Sequence, residues 1–465
     1  MKLPSPGITT TTLLLATLPH YTRASLLDTL KLKLASILPL PTFLRHKIAT
    51  PVDHSQLLSL HKSLVEIPSI TGNEYAVGEW LAQYLISQNF TVETQLVQGG
   101  MDEGEGEGEV EGTTKKRENI FAYLGQTRET HTLLTSHIDV VPPYIPYRET
   151  ASAVYGRGST DAKASVAAQI MAVLELIAEK KVQEGDISLL YVVGEETIGD
   201  GMKAANRLNP SGWRAVIFGE PTELKLAVGH KGIAEFTITS EGKAAHSGYP
   251  WLGVNANSNL VQVLYELDRL ELPASSLLGN STINVGQISG GVAANVVSAR
   301  ASAVGSVRIA EDLDETVRRI NAVITSVPGV SVEWFETPHY GPVELDWDVE
   351  GFETIVCSYG TDVPHLKGDH KKYLYGPGSI FVAHGDGEFV LKNDLFEAVK
   401  GYKRLVVESL NPTRRVPAVR VEEVKSEEVG VPEVVSKSAT VVEAEKETDA
   451  EGGRKGGKKE GSEEL

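Results

Sequence analysis

A single cysteine in 465 residues, Cys357, leaves no partner for an intrachain disulfide and excludes a metal site built on thiolates. It reads as a small buried residue rather than a reactive thiol. A metal held by this chain must rest on imidazole and carboxylate. Long apolar runs are also missing. The patch at residues 13–18 is too short to span a bilayer, so the sequence offers no stable membrane anchor. Nor is there a basic excess: the net charge is −18, which argues against nucleic acid or an anionic membrane as a partner. Part of that acidity lies in two low-complexity stretches, so it says less about the folded body. No solenoid-type repeat is found.

What is present fits a soluble globular protein of more than one domain, with 41% apolar and 23% charged residues. Residues 1–49 read as targeting and processing sequence. One early lysine, a short apolar patch and a small-residue site at Ala24 resemble a weak signal peptide and point to secretion. The Thr-rich, basic stretch to Lys47 makes a mitochondrial presequence the rival, with a vacuolar destination as a further alternative. Two glycosylation sequons, at Asn89 and Asn280, lean toward secretion.

Helical periodicity starts near Ser55 and resumes from Glu74. Residues 98–118 form a Gly/Glu run without apolar period and read as a surface loop. From 119 to 228, short apolar runs alternate with helical patterns, the signature of a largely parallel α/β sheet flanked by helices. The pattern then changes to strand 232–240, helix 255–270, strands 281–288 and 301–309, helix 313–324 and strand 330–335. That βαββαβ order is ferredoxin-like. The expected organisation is a catalytic α/β domain in two parts, 50–230 and 338–411, with an inserted α+β lid or dimerisation domain at 231–337. A mixed-charge tail over 412–465 reads as disordered.

The chemistry-bearing residues stand just past the apolar runs. His137 and Asp139 end one, Glu195 and Glu196 a second, and Glu220 a third. Asp161 sits where a Gly-rich turn becomes a helix, and His384 closes the set downstream. Such a series suggests one site assembled along a sheet edge. Residues two apart on a strand share a face, so Asp139 could accept the N–H of a metal-bound His137. Asp161 could equally be the N-cap of a helix over 162–179. The Gly156-Arg157-Gly158 turn would let backbone approach a ligand. Adjacent carboxylates at 195 and 196 repel each other unless a cation lies between them, which divides them into one ligand and one general base. With Asp161 bridging, each of two metals would gain one His, one Glu and one Asp oxygen, a tetrahedral N/O set that suits zinc.

The motifs HIDVVP, GRGSTDAK, GEE, GEPTE, GKAAHSGYPWLGVNA and AHGDGEFV together resemble the di-zinc aminoacylase/carboxypeptidase family. That group includes acetylornithine deacetylase, succinyl-diaminopimelate desuccinylase and glutamate carboxypeptidase types. The chain is similar in look to the secreted fungal carboxypeptidases of the group, over residues 57–410. The resemblance implies a zinc-exopeptidase-like fold and two zinc ions per subunit. His137, Asp161 and Glu220 would hold one ion, and Asp161, Glu196 and His384 the other. Glu195 would be the general base and Asp139 the partner of His137. His246 would support the oxyanion across a dimer interface, and Asn295 and Arg308 would bind the substrate carboxylate. The implied activity is hydrolysis of a C-terminal peptide bond, with a small peptide as substrate and a homodimer formed through the inserted domain. The alternatives are an N-acyl-amino-acid deacylase and, more remotely, a catalytically silent binding protein on the same fold. Ser298 and Ala164 depart from the family pattern without removing a ligand or the base.

Overall fold

The structure, a computed structural model, describes residues 54–98, 116–208 and 212–411. The targeting segment, most of the Gly/Glu loop and the tail lie outside the described residues. So does all of Pro417–Leu465, the second of two units into which the chain divides; the first is Met1–Val416.

The body is built on a six-stranded sheet ordered Phe90–Leu96, Glu118–Leu124, Ile187–Val192, Thr132–His137, Ala215–Gly219 and Lys371–Tyr375. The last four strands are parallel, and the first two pair antiparallel, so the sheet is mixed as expected. Every residue of Thr132–His137, Ile187–Val192 and Ala215–Gly219 is buried. Strands covered on both faces read as unbroken apolar runs, which is why the sequence showed them so clearly. Alternate side chains serve different cores. Leu134, Leu189 and Ile217 join the core that includes Leu64 and Ile170. Leu133, Leu190 and Val216 join a second one with Met202, Trp213 and Val363. The first core takes in the helices His54–Glu66, Lys163–Ala178 and Lys392–Leu410.

Residues 232–340 form the βαββαβ unit. Its antiparallel sheet runs in the order Thr282–Gly290, Arg300–Ile309, Gly232–Glu241, Val330–Tyr340. Helices Ala256–Asp268 and Leu313–Ile324 share a core with Phe236, Ile238 and Val307. The side chains of Asn255 and Asp312 accept backbone N–H groups at the helix starts, as N-caps should. The last strand runs past the expected end at 335 to Tyr340. Pro338 lacks a backbone N–H and sits inside a register shift between Trp334 and His339, after which pairing resumes. That extension carries Tyr340 to the site described below.

One residue of the expected surface loop behaves otherwise. Arg117 is buried, with Nη2 at 2.8 Å from Glu74 Oε1 and Nη1 at 2.5 Å from Asp200 Oδ2. Its guanidinium joins the helix Tyr75–Ser87 to the segment after the strand Ile187–Val192. Cys357 is buried, as the sequence suggested.

Candidate metal centre

The parallel strands deliver their C-terminal ends to one edge of the sheet. His137 is the last residue of its strand, Glu220 follows Ala215–Gly219 directly, and Glu195 and Glu196 follow Ile187–Val192 after a short turn. His384 arrives from the segment beyond Lys371–Tyr375, with φ +63°. Asp161 stands between the two imidazoles. Its Oδ1 lies 3.2 Å from His137 Nε2, and its Oδ2 lies 3.4 Å from His384 Nε2. Glu220 Oε1 is 3.8 Å from His137 Nε2, and Glu196 Oε2 is 3.0 Å from His384 Nε2. Glu195 Oε2 is 3.9 Å from His137 Nε2. The six side chains predicted to hold or use metal therefore meet in one place, and Asp161 offers one oxygen to each half.

One detail differs from expectation. Asp161 is not a helix cap: the helix begins at Lys163, Ala162 is the N-cap, and no side chain caps it. The Asp161 carboxylate is turned to the imidazoles instead. The glycine turn is also required by packing. Gly156 has φ +140° and Gly158 φ +82°, and a Cβ on Gly158 would lie 2.7 Å from Val140 Cγ1. Asp139 does support His137, through its main-chain oxygen at 3.0 Å from Nδ1 as well as its carboxylate Oδ1 at 3.6 Å. The Asp139 carboxylate also accepts the N–H groups of Glu195 and Glu196, each at 3.2 Å, and the Thr71 hydroxyl at 2.8 Å. One buried acid thus fixes both the imidazole and the paired glutamates.

Electrostatics in the cluster are frustrated. Burial pushes the Glu195 carboxyl well above its ordinary range; His137 pulls it down and Glu220 pushes it up again. Glu220 is likewise raised well above its usual value by burial, with His137 opposing and Asp161 adding to the rise. Burial and the charge of Asp161 lift Glu196 to about 7. Burial disfavours the imidazolium of His137, but Glu220, Asp139 and Asp161 outweigh it and raise the pKa well above normal. His384 is lifted to about 10 by its contacts with Asp161 and Glu196. Burial opposes the ionised form of Asp161, yet the two imidazoles hold its carboxyl low. Crowded acids that are costly to ionise together are what a multivalent cation relieves.

The donor set suits a pair of divalent cations. Ligand atoms of His137, Asp161 and Glu196 lie within 4.8 Å of one another. This trio draws on both predicted half-sites, so the halves share one small volume. Glu196 Oε1 is buried without a hydrogen-bond partner among the described residues. A buried, unmatched carboxylate oxygen beside this cluster suits a cation ligand. The residues present therefore fit a metal pair, with nitrogen and oxygen ligands only.

The cluster forms one wall of a cavity of about 470 Å³. The βαββαβ unit lines it with Ile233, Glu235, Arg308 and Tyr340. Arg308 is thus brought to the site, as predicted. His246 and Asn295 are not. Both are exposed and lie side by side, where Ala245–His246 pairs with Val296–Val297 and Ser247 N–H donates to the Asn295 carbonyl at 3.0 Å. That short ladder lies outside the set of residues lining the cavity.

Sequence reasoning missed Glu388, Asp362 and Tyr340. Glu388 is buried, and its Oε1 accepts the N–H groups of Thr160 at 3.1 Å and Asp161 at 3.3 Å. Its Oε2 takes Arg157 Nη1 at 2.7 Å, while Arg157 also donates to the His384 and Gly385 carbonyls at 3.2 Å. This pair ties the Asp161 turn to the His384 loop. The only hint was an arginine between two glycines and an acid in a Gly-rich turn. Asp362 lines the cavity with Oδ1 unpartnered among the described residues, and burial lifts its carboxyl to about 7. Nothing in its local sequence marks it. Glu388→Ala strands a buried guanidinium, so a loss of about 3–5 kcal/mol of stability is expected in equilibrium denaturation. The double change Arg157→Leu with Glu388→Leu should recover much of that stability without restoring activity.

A model of the peptidase dimerisation domain matches residues 228–330. A peptidase M20 domain-containing protein of Schizosaccharomyces pombe is 49% identical over 358 residues, covering 76% of this chain and 85% of that protein. A probable carboxypeptidase of Aspergillus flavus is 46% identical over 394 residues, covering 77% and 91%. Among solved structures, a tripeptidase from Staphylococcus aureus shares the fold with a TM-score of 0.60 at 20% identity, over 78% of this chain and all of the other. The chain belongs to the M20 peptidase family of metallopeptidases. The family read from the motifs and the α/β fold with its dimerisation domain thus both hold.

Proposed function

We propose that the protein is a carboxypeptidase that hydrolyses a C-terminal peptide bond, with two zinc ions held by His137, Asp161, Glu196, Glu220 and His384. The observation that carries this reading is Asp161, whose two oxygens face two imidazoles at 3.2 and 3.4 Å beside three further carboxylates. Bound divalent cations would supply positive charge to the scissile carbonyl and acidify water. The chain's own groups do the rest. Glu195, anchored through its backbone N–H on Asp139, takes a proton from the attacking water and returns it to the leaving amine. Its side chain retains 15% exposure and the residue lines the cavity, so it can reach solvent and substrate. Arg308 offers a planar fork of donors for a free carboxylate across the same cavity. Closure of the βαββαβ unit would exclude water.

The matched dimerisation domain supports a homodimer, in which His246 would act on the partner's cavity rather than its own. Exposure of Asn89 and Asn280 suits a secreted, glycosylated protein. The test is side-by-side turnover of a short peptide, the same peptide with an amidated C-terminus, and an N-acetylated amino acid. Cleavage of the free-acid peptide alone is expected. If only the acetylated amino acid turns over, the protein is a deacylase and the carboxypeptidase assignment fails.

A further inference from the structure

A second cavity, of about 280 Å³, adjoins the first. Arg308, Tyr359 and Ile380 line both and form the partition between them. The rest of the second cavity is mainly apolar: Pro221, Ile355, Val356, Cys357 and Phe381. Its polar groups are largely satisfied. Tyr359 donates its hydroxyl to the Pro221 carbonyl at 3.0 Å, so it presents ring rather than hydroxyl. Glu223 is occupied by Lys225 Nζ at 3.2 Å and by the Ser379 hydroxyl at 2.9 Å. Burial lifts the Cys357 thiol to about 11, which keeps it neutral. Two apolar side chains here lack cover: Phe381 is 87% exposed and Val356 38%.

Arg308 on the partition makes no ion pair or side-chain hydrogen bond among the described residues, although acids crowd the cavity beside it. An unpaired guanidinium there calls for an anion from outside the chain. In an α-amino acid the carboxylate, the side chain and the nitrogen share one carbon. A carboxylate on Arg308 therefore leaves two directions, one toward Glu195 and the metal ligands and one into the apolar cavity. The nitrogen of the scissile bond must take the first. The side chain is left with the second.

We propose that the second cavity receives the side chain of the residue that bears the free carboxylate, so that the enzyme acts best on peptides ending in an apolar residue. This rests on the carboxypeptidase reading and names its substrate class. Val356 and Phe381 set the specificity. Burying a methylene favours binding about fourfold, so C-terminal Leu should exceed Ala by about 50-fold in kcat/KM. A C-terminal Glu, which would bring a charge into apolar surroundings, should fall at least about tenfold below Leu.

The experiment is a series of N-acylated glycyl dipeptides ending in Gly, Ala, Leu, Phe or Glu, assayed with the full-length zinc-loaded protein and with Val356→Trp and Phe381→Ala. The tryptophan should fill the cavity and remove most of the Leu and Phe advantage, lowering kcat/KM for those endings at least about tenfold more than for Gly. Phe381→Ala alters a ring that is 87% exposed, so its fold is secure, and it too should lower Leu and Phe selectively. A flat series, or Glu as the best ending, overturns the cavity assignment while the carboxypeptidase reading stands. Turnover of amidated peptides with none of the free acids overturns both.

Discussion

Glu195→Gln lowers kcat by about 10²–10⁴-fold, the usual range for loss of a general base, and leaves metal content and KM close to those of the parent. Glutamine keeps the size and the backbone tie to Asp139 at 3.2 Å but cannot hold a proton in transit. The separation of outcomes follows from placement. His137, Asp161 and Glu196 bring ligand atoms within 4.8 Å of one another, Glu220 and His384 complete the proposed set, and Glu195 stands outside it. Steady-state kinetics together with metal analysis of the purified variant decide the matter. Activity within twofold of the parent would assign the proton to another group, and Asp362, which lines the same cavity with a buried, unpartnered Oδ1, would be the first to examine.

Asp161→Ala removes the one side chain that both halves of the centre share. The expected result is loss of both cations, with affinity lowered by about 100-fold or more, since even residues that only support a ligand typically cost 10–100-fold. Activity should then fall to the level left after exhaustive chelation. A circular dichroism spectrum like the parent's would show that the sheet survives, because its core lies in Leu134, Leu189, Ile217 and their neighbours rather than in the cluster. If the variant keeps two ions at parental affinity, Asp161 is not the bridge.

How much was readable in advance depends on how locally each position is determined. His137 ends, and Glu195, Glu196 and Glu220 follow, strands buried on both faces, and such strands advertise their ends as breaks in an apolar run. The βαββαβ order was legible for a similar reason: its strands alternate, as in Arg300–Ile309, and its helices carry caps. His384 follows no strand directly, so its place just past an apolar run was a weaker signal than that of the others. Glu388 and Asp362 were invisible because their significance is created by distant chain. Glu388 matters through Thr160, Asp161 and Arg157, some 230 positions away. Tyr340 was missed because the last strand was expected to end at 335, and pairing resumes only beyond the register shift between Trp334 and His339. His246 and Asn295 were assigned by motif alone. In one chain they stay exposed beside each other, away from the residues lining the cavity.

The clasp made by Arg157 and Glu388 sets an order of events during synthesis. Asp161 leaves the ribosome long before the residue that receives its backbone N–H and the loop that presents His384. A nascent chain halted just before that loop holds four of the five ligands but lacks His384 and the acid that fixes the Asp161 turn. Loading with metal is therefore a late maturation step, open only once nearly the whole catalytic body has emerged.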